Sequence, residues 1–203
     1  MYIRRFTYKE EDVDCPLCTE YRGKNRCPHS ICPFIAERIE AGTVTYQEAI
    51  RSMIPAHCSM SRRLPQLIQA YPNSLWGDPQ HRHRMELFHN RLGYARRRNT
   101  PCYYAAMYLL TSNAEIHRRT ANCFHRAGIT FDYAILNGIS PHDYSLYCAA
   151  CGLFGGERCV TLAEMADSEI IDEEAFRLIV NALLIARYGT SAFLLKKEVN
   201  RYD

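Results

Sequence analysis

From Asp172 to Tyr188 apolar residues recur at intervals of three and four: Phe176, Ile179, Val180, Leu183 and Leu184. Positions with that spacing fall on one face of a helix, so the segment predicts an amphipathic helix with Gly189 just past its end. Burying each such side chain is worth roughly 1.5–3 kcal/mol. The stripe therefore reads as packing, the central post of a core, rather than as a binding surface.

The same reading places helices along most of the chain. Pro33 suits a first helical turn, and the stretch to Ala41 stops at Gly42. Thr45 followed by Glu48 forms a capping box for a helix through Ile54. Weaker signals cover Ser61 to Tyr71, after which Pro72 to Gly77 is a loop holding Trp76. Asp78-Pro79 opens a helix to Leu92, and Thr100-Pro101 opens another to about Leu110. Ser112 with Glu115 predicts a helix to Ala127, with Ile116, Thr120, Cys123, Phe124 and Ala127 facing inward. Ser140-Pro141 starts one through Ala150, and Thr161 with Glu164 a short one. Only 129–133 and 191–195 read as strands. The expected fold is mainly α: a multi-helix domain at 44–203 preceded by a small metal-knuckle module at 1–43.

That module rests on four cysteines. Cys15 and Cys18 are two residues apart, and Cys27 and Cys32 follow within the next fourteen positions. Thiols spaced by two residues reach one ion from a single turn, and a second close pair completes a closed tetrahedral site. A structural Zn2+ is the expected cofactor. Reduced loop cysteines are the plain alternative, and His29 is a candidate substitute ligand. With no secretory signal evident, a reducing, cytoplasmic setting is expected, which favours metal over disulfides. Cys148, Cys151 and Cys159 are a second candidate set, read as buried thiols because the first two sit near a helix C-terminus, where the dipole disfavours thiolate.

Charge changes the picture more than composition does. The net charge is +3, yet nine arginines lie between Gln80 and Arg126 against two glutamates. From Glu157 to Glu174, seven acids face one arginine. A basic middle and an acidic late segment point to an anionic partner, or to two parts that attract each other. Arg96, Arg97, Arg98, Arg118, Arg119, Asn122 and Arg126 are the candidate nucleic-acid contacts, with Arg82, Arg84 and Arg91 extending the charge. Arginine and asparagine reach phosphates and base edges, and Tyr94, Tyr103, Tyr104 and Tyr108 offer rings for unpaired bases. Solvated arginines with tyrosines at core spacing are the alternative.

Catalytic signals are poor. His81 and His83 do not share a helix face, and no phosphate-cradling glycine loop or nucleophile elbow appears. No membrane-spanning stretch is expected either, since the run 178–186 is far too short.

The segment from Asp14 through Cys18 and Cys27 to Cys32-Pro33 resembles the cysteine knuckles of small accessory proteins of bacterial phages and conjugative elements. That resemblance covers about a sixth of the chain. It implies an accessory role, as in anti-restriction and anti-CRISPR proteins, which act by binding. The leading expectation is a non-enzymatic, zinc-stabilised protein engaging nucleic acid or a nucleoprotein complex. The alternatives are a protein–protein inhibitor or assembly factor using 167–174 as a nucleic-acid mimic, and a metal-dependent hydrolase using the histidines of 79–92.

Overall fold

The computed structural model describes residues 6–23, 27, 31–155 and 160–197. Among these it contains nine α-helices and no strand. They are α1 (Ile35–Glu40), α2 (Tyr46–Met53), α3 (Leu64–Gln69), α4 (His81–Leu92) and α5 (Pro101–Leu110), followed by α6 (Ala114–Thr120), α7 (Pro141–Phe154), α8 (Leu162–Ala166) and α9 (Glu173–Tyr188).

Local chemistry sets most helix starts. Glu48 N–H donates to the Thr45 hydroxyl at 3.3 Å, and the Glu48 carboxylate accepts from Thr45 N–H at 2.9 Å. Thr161 and Glu164 repeat the reciprocal pair at 3.2 and 2.7 Å. Ser140 caps α7, and Asp172 caps α9 through two backbone N–H groups at 3.0 and 2.9 Å. Each satisfies donors that a helix start leaves orphaned.

The core is built on α5, which lies along both α7 and α9. Tyr103 and every residue from Ala105 to Leu110 are fully buried, so α5 is covered all round. It thus shares the central position that the apolar stripe of α9 predicts for α9 alone. On α9 the burial is also wider than the stripe: Ala175, Leu178, Asn181, Ala182, Ile185 and Tyr188 join it, while Leu183 is only half-buried.

A polar knot ties these helices internally. Tyr46 donates to Asn181 Oδ1 at 2.7 Å, and Asn181 Nδ2 donates to the Leu75 carbonyl at 3.2 Å and to the Tyr108 hydroxyl at 3.3 Å. Tyr108 in turn donates to the Leu75 carbonyl. Tyr46 stacks on Tyr71 at 3.7 Å between centroids, and Trp76 stacks on Phe193 at 4.4 Å.

Four expectations need correction. α6 is capped by Asn113, whose Oδ1 accepts from Glu115 and Ile116 N–H at 2.9 and 3.0 Å; Ser112 is buried instead. α6 also stops at Thr120 rather than Ala127, giving way to a 3-10 turn at Ala121–Cys123 that leaves Ala127 exposed. α7 continues through Gly152 to Phe154 and ends on Gly155, whose φ of 90° suits a residue without Cβ. Both strand candidates are largely 3-10 helix, at Phe131–Tyr133 and Gly189–Leu194, flanked by isolated bridges Phe124–Ile129 and Thr45–Lys196.

The front segment is different in kind. None of its described residues before Ile35 is buried. α1 follows it directly, and its Ile35 and Ile39 enter the common core, with α1 lying against the 3-10 turn Gly189–Leu194.

Candidate functional site

Two features have the chemistry to bind something: the cationic face around α4, α5 and α6, and the thiol-rich front segment.

The cationic face begins with two arginines that do not reach solvent. Arg84, on the inner side of α4, donates to the carbonyls of Thr111 and Ser112 at 2.7 and 2.6 Å and pairs with Asp78 at 2.6 Å. It thereby serves carbonyls left open at the end of α5. Partial desolvation acts to raise the Asp78 carboxyl, but the Arg84 guanidinium together with the backbone N–H groups of Gln80 and His81 holds it below the usual range. Arg98 is only 5% exposed. It donates to the carbonyls of Leu92, Gly93 and Arg126 and to Asn99 Oδ1, and its guanidinium lies 5.4 Å from the Tyr103 ring centroid. One buried side chain therefore ties the α4–α5 loop to the segment after α6.

That clamp leaves Arg96 and Arg97 exposed on the loop and Arg126 exposed on the tied segment. Arg91 is exposed on α4, its guanidinium 4.7 Å from the Phe88 centroid. Phe88 stacks on Phe124 at 4.4 Å, which joins α4 to the segment following α6. Among the described residues no carboxylate forms an ion pair with Arg91, Arg96, Arg97 or Arg126. Tyr94, beside them in the loop, is 70% exposed.

The other candidates divide. Asn122 is exposed. Arg118 is exposed but forms a forked pair with Glu115 at 2.9 and 3.1 Å. Arg119 turns inward: it pairs with Glu115 at 2.6 Å and donates to the carbonyls of Ile135, Asn137 and Gly138 at 3.1, 2.7 and 3.1 Å. Arg98 and Arg119 are thus corrected from ligand contacts to residues that shape the face, because each guanidinium is occupied by backbone carbonyls. The tyrosines divide similarly. Tyr103 and Tyr108 are buried, and the half-buried Tyr104 hydroxyl accepts from Asn99 at 2.9 Å, which leaves Tyr94 as the accessible ring of the four.

In the front segment, Cys15–Leu17 forms a 3-10 turn closed by the Cys18 N–H donating to the Cys15 carbonyl at 3.0 Å. Cys15, Cys18, Cys27 and Cys32 are all half-buried. Burial raises the Cys32 thiol pKa, and the neighbouring Cys27 and Cys15 add to the rise against the lowering influence of Arg38 and a backbone hydrogen bond. A cavity of about 360 Å³ lies here, lined in part by Tyr8, Leu17, Cys18, Cys32, Phe34 and Arg38. Among the described residues no three His, Cys, Asp or Glu side chains form a group able to hold a metal ion. His29 and Cys159 lie outside the described residues.

Arg38 is the residue that the sequence reading passed over. Its Nη1 donates to the Val13 carbonyl and to Cys15 Sγ, the latter at 3.2 Å, and its Nε is buried with no partner among the described residues. The available signal was an arginine between Ile35 and Ile39 on the inward face of a short helix.

The remaining candidates fold into structural roles. His81 is fully buried between Gly77 N–H, which donates to Nδ1 at 2.9 Å, and the Tyr108 carbonyl, which accepts from Nε2 at 2.8 Å. Burial lowers its pKa to about 4, so the imidazole is neutral near pH 7. His83 is exposed on α4 and does not join it. In the acidic segment, Glu173 pairs with Arg63 at 2.8 Å, Glu174 with Arg177 at 3.3 Å, and Asp172 with His142 at 2.7 Å. Cys123 and Cys151 are buried, and desolvation pushes the Cys123 thiol up to about 12.

Fold and site together define a mainly helical protein with an exposed arginine cluster and a thiol-bearing front segment. Comparison with protein-family models, curated proteins and solved structures found no match. Among the described residues, no helix is long and apolar enough to cross a membrane.

Proposed function

We propose that this chain is a non-enzymatic binding protein whose exposed arginines engage single-stranded nucleic acid, free or within a nucleoprotein complex. The observation that carries the reading is the Arg98 clamp, which fixes the α4–α5 loop against Arg126 and leaves Arg96, Arg97 and Arg126 outside, without carboxylate partners among the described residues. Guanidinium groups on a pinned frame meet phosphates at low ordering cost, and Tyr94 offers a ring on which an unpaired base can stack. Arg118 and Asn122 extend the face. The zinc knuckle expected from the cysteine spacing enters this reading only as a metal-induced arrangement, since Cys15, Cys18, Cys27 and Cys32 do not form a group able to hold an ion in the structure; among the described residues the front segment has no buried apolar side chain of its own. The resemblance of the cysteine segment to phage and conjugative-element proteins gives the biological setting, an accessory or anti-CRISPR-like inhibitor.

The nucleic-acid-mimic reading has less support, since Asp172, Glu173 and Glu174 are already paired within the fold. The test is fluorescence anisotropy with labelled single-stranded DNA and RNA and with a duplex, across a salt series. Arg96, Arg97 and Arg126 changed together to alanine should weaken single-strand binding at least tenfold. The salt slope should fall by about two, at roughly 0.7 for each phosphate no longer neutralised. Absence of wild-type binding at low salt, or an unchanged slope in the triple variant, would sink the proposal.

A further inference from the structure

We infer that Tyr133 and Asn122 form a subsite for one unpaired nucleobase, next to the turn that carries Arg126. This rests on the proposed single-strand binding and adds to it a place where a base, rather than a phosphate, is held.

Tyr133 is 58% exposed, yet the turn beneath it is tightly held. Thr130 N–H donates to the Cys123 carbonyl at 2.8 Å, and the Tyr147 hydroxyl donates to the Phe131 carbonyl at 3.1 Å. Two residues beyond the ring, Ile135 N–H donates to the Arg119 carbonyl at 3.0 Å, and the inward Arg119 side chain donates back to the Ile135 carbonyl at 3.1 Å. The ring itself lies edge-to-face with His125, centroids 5.4 Å apart. His125 directly precedes Arg126 and exchanges backbone hydrogen bonds with Gly128 at 2.9 and 3.3 Å, which closes the turn that presents Arg126. The 3-10 turn Ala121–Cys123 lies against the turn Phe131–Tyr133 and carries Asn122, which is exposed and makes no side-chain hydrogen bond among the described residues. Its amide is therefore open to a ligand. A ring fixed in advance stacks on a base at little further cost in freedom. An amide beside it matches the donor and acceptor pattern of a base edge, which is free only where the strand is unpaired. Asp132 on the same turn is exposed, and its carboxylate repels phosphate, so this point favours an uncharged base over the backbone. The Arg98 clamp ties the Tyr94 loop to the Arg126 turn, so both exposed rings belong to one rigid frame.

The experiment measures fluorescence anisotropy with labelled DNA and RNA homopolymers of each base, about 12 nucleotides long, and with an abasic strand of equal length. The abasic strand keeps the phosphates and lacks the bases. Wild type is compared with Tyr133→Phe, Tyr133→Ala, Asn122→Ala and the triple alanine variant of Arg96, Arg97 and Arg126, with circular dichroism to check that each keeps its helices. Tyr133→Ala should weaken binding to base-bearing strands at least about fivefold, while Tyr133→Phe stays within about twofold of wild type. The salt slope of Tyr133→Ala should equal that of wild type, because the ring neutralises no phosphate. On the abasic strand Tyr133→Ala should change affinity by less than about twofold, since the group it stacks on is gone. Asn122→Ala should narrow the preference among bases, and the better-bound of the DNA and RNA series names the source of the base. Wild-type affinity in Tyr133→Ala, or an equal loss on the abasic strand, overturns the subsite. So does a base preference that is absent from the wild type or untouched by Asn122→Ala. In each of these cases a loss of affinity in the triple variant leaves the arginine reading standing. No wild-type binding to any strand at low salt overturns both.

Discussion

The segment before Ile35 and the helical core it precedes are held by different forces. In the core, α5 is buried on every side and packs between α7 and α9, so apolar burial supplies the stability. In the front segment Leu17 is 79% exposed and Ile31 67%, and order comes from short backbone turns and the contacts of Arg38. Burial is non-directional and tolerates no wholesale loss. Polar and thiol contacts are directional and local.

Substitutions on the two sides should separate these regimes, starting where the effect is largest. Phe176 is fully buried under the Arg63 guanidinium, which lies 4.1 Å from its ring centroid. Phe176→Ala should cost about 3–5 kcal/mol in urea unfolding. A loss below about 1 kcal/mol would mean that α9 is not central to the core.

His81 gives the next effect, through pH. Its folded-state pKa lies near 4 against 6.5 for the unperturbed group. Between those values the unfolded chain takes up a proton that the folded one refuses. The contribution is therefore complete above about pH 6.5 and is lost as pH falls toward 4, by roughly 3 kcal/mol at most. Urea midpoints measured from about pH 7 to 4.5 should fall. A His81→Gln variant, less stable throughout, should show a flatter dependence. Parallel profiles would assign the acid sensitivity to other groups.

Smaller again is the contrast between neighbouring arginines. Arg98→Ala orphans carbonyls of the α4–α5 loop and should cost about 1–3 kcal/mol. Arg96→Ala, on the exposed side of that loop, should change stability by less than about 0.5 kcal/mol while weakening nucleic-acid binding. Equal stability losses at both positions would show that the clamp is not specific to Arg98. Leu17→Ala should likewise stay within about 0.5 kcal/mol, marking the least sensitive end of the comparison.

Much of the helical fold was legible in the residue order. The boxes Thr45/Glu48 and Thr161/Glu164 close where their spacing predicts, because cap and acceptor are three positions apart. Asp172 likewise accepts from the N–H of Ala175 three positions on, and Gly189 ends α9 at a φ of 68° that suits a residue without Cβ. Where competing caps were adjacent the reading slipped. Asn113 displaced Ser112 because its amide also reaches Asp143, thirty positions away, at 2.7 Å. The arginine-rich region was visible as composition, but not its division into inner and outer members. Arg96, Arg97 and Arg98 are consecutive, and nothing in that run marks which one turns inward.

Taken alone, the sequence determined a mainly helical chain, most helix starts, the apolar face of α9 and the uneven distribution of charge. These follow from interactions that span a few residues, or from counts that folding cannot change. The tertiary structure decided which arginines face solvent, that α5 shares the centre with α9, and that Arg38 reaches Cys15. Each of those depends on carbonyls, sulfurs or apolar surfaces brought together across sixteen or more positions, as when Arg119 meets the carbonyl of Ile135 and Arg98 that of Arg126. A guanidinium turns inward only where the fold has left acceptors unsatisfied, and residue order alone does not say where that is.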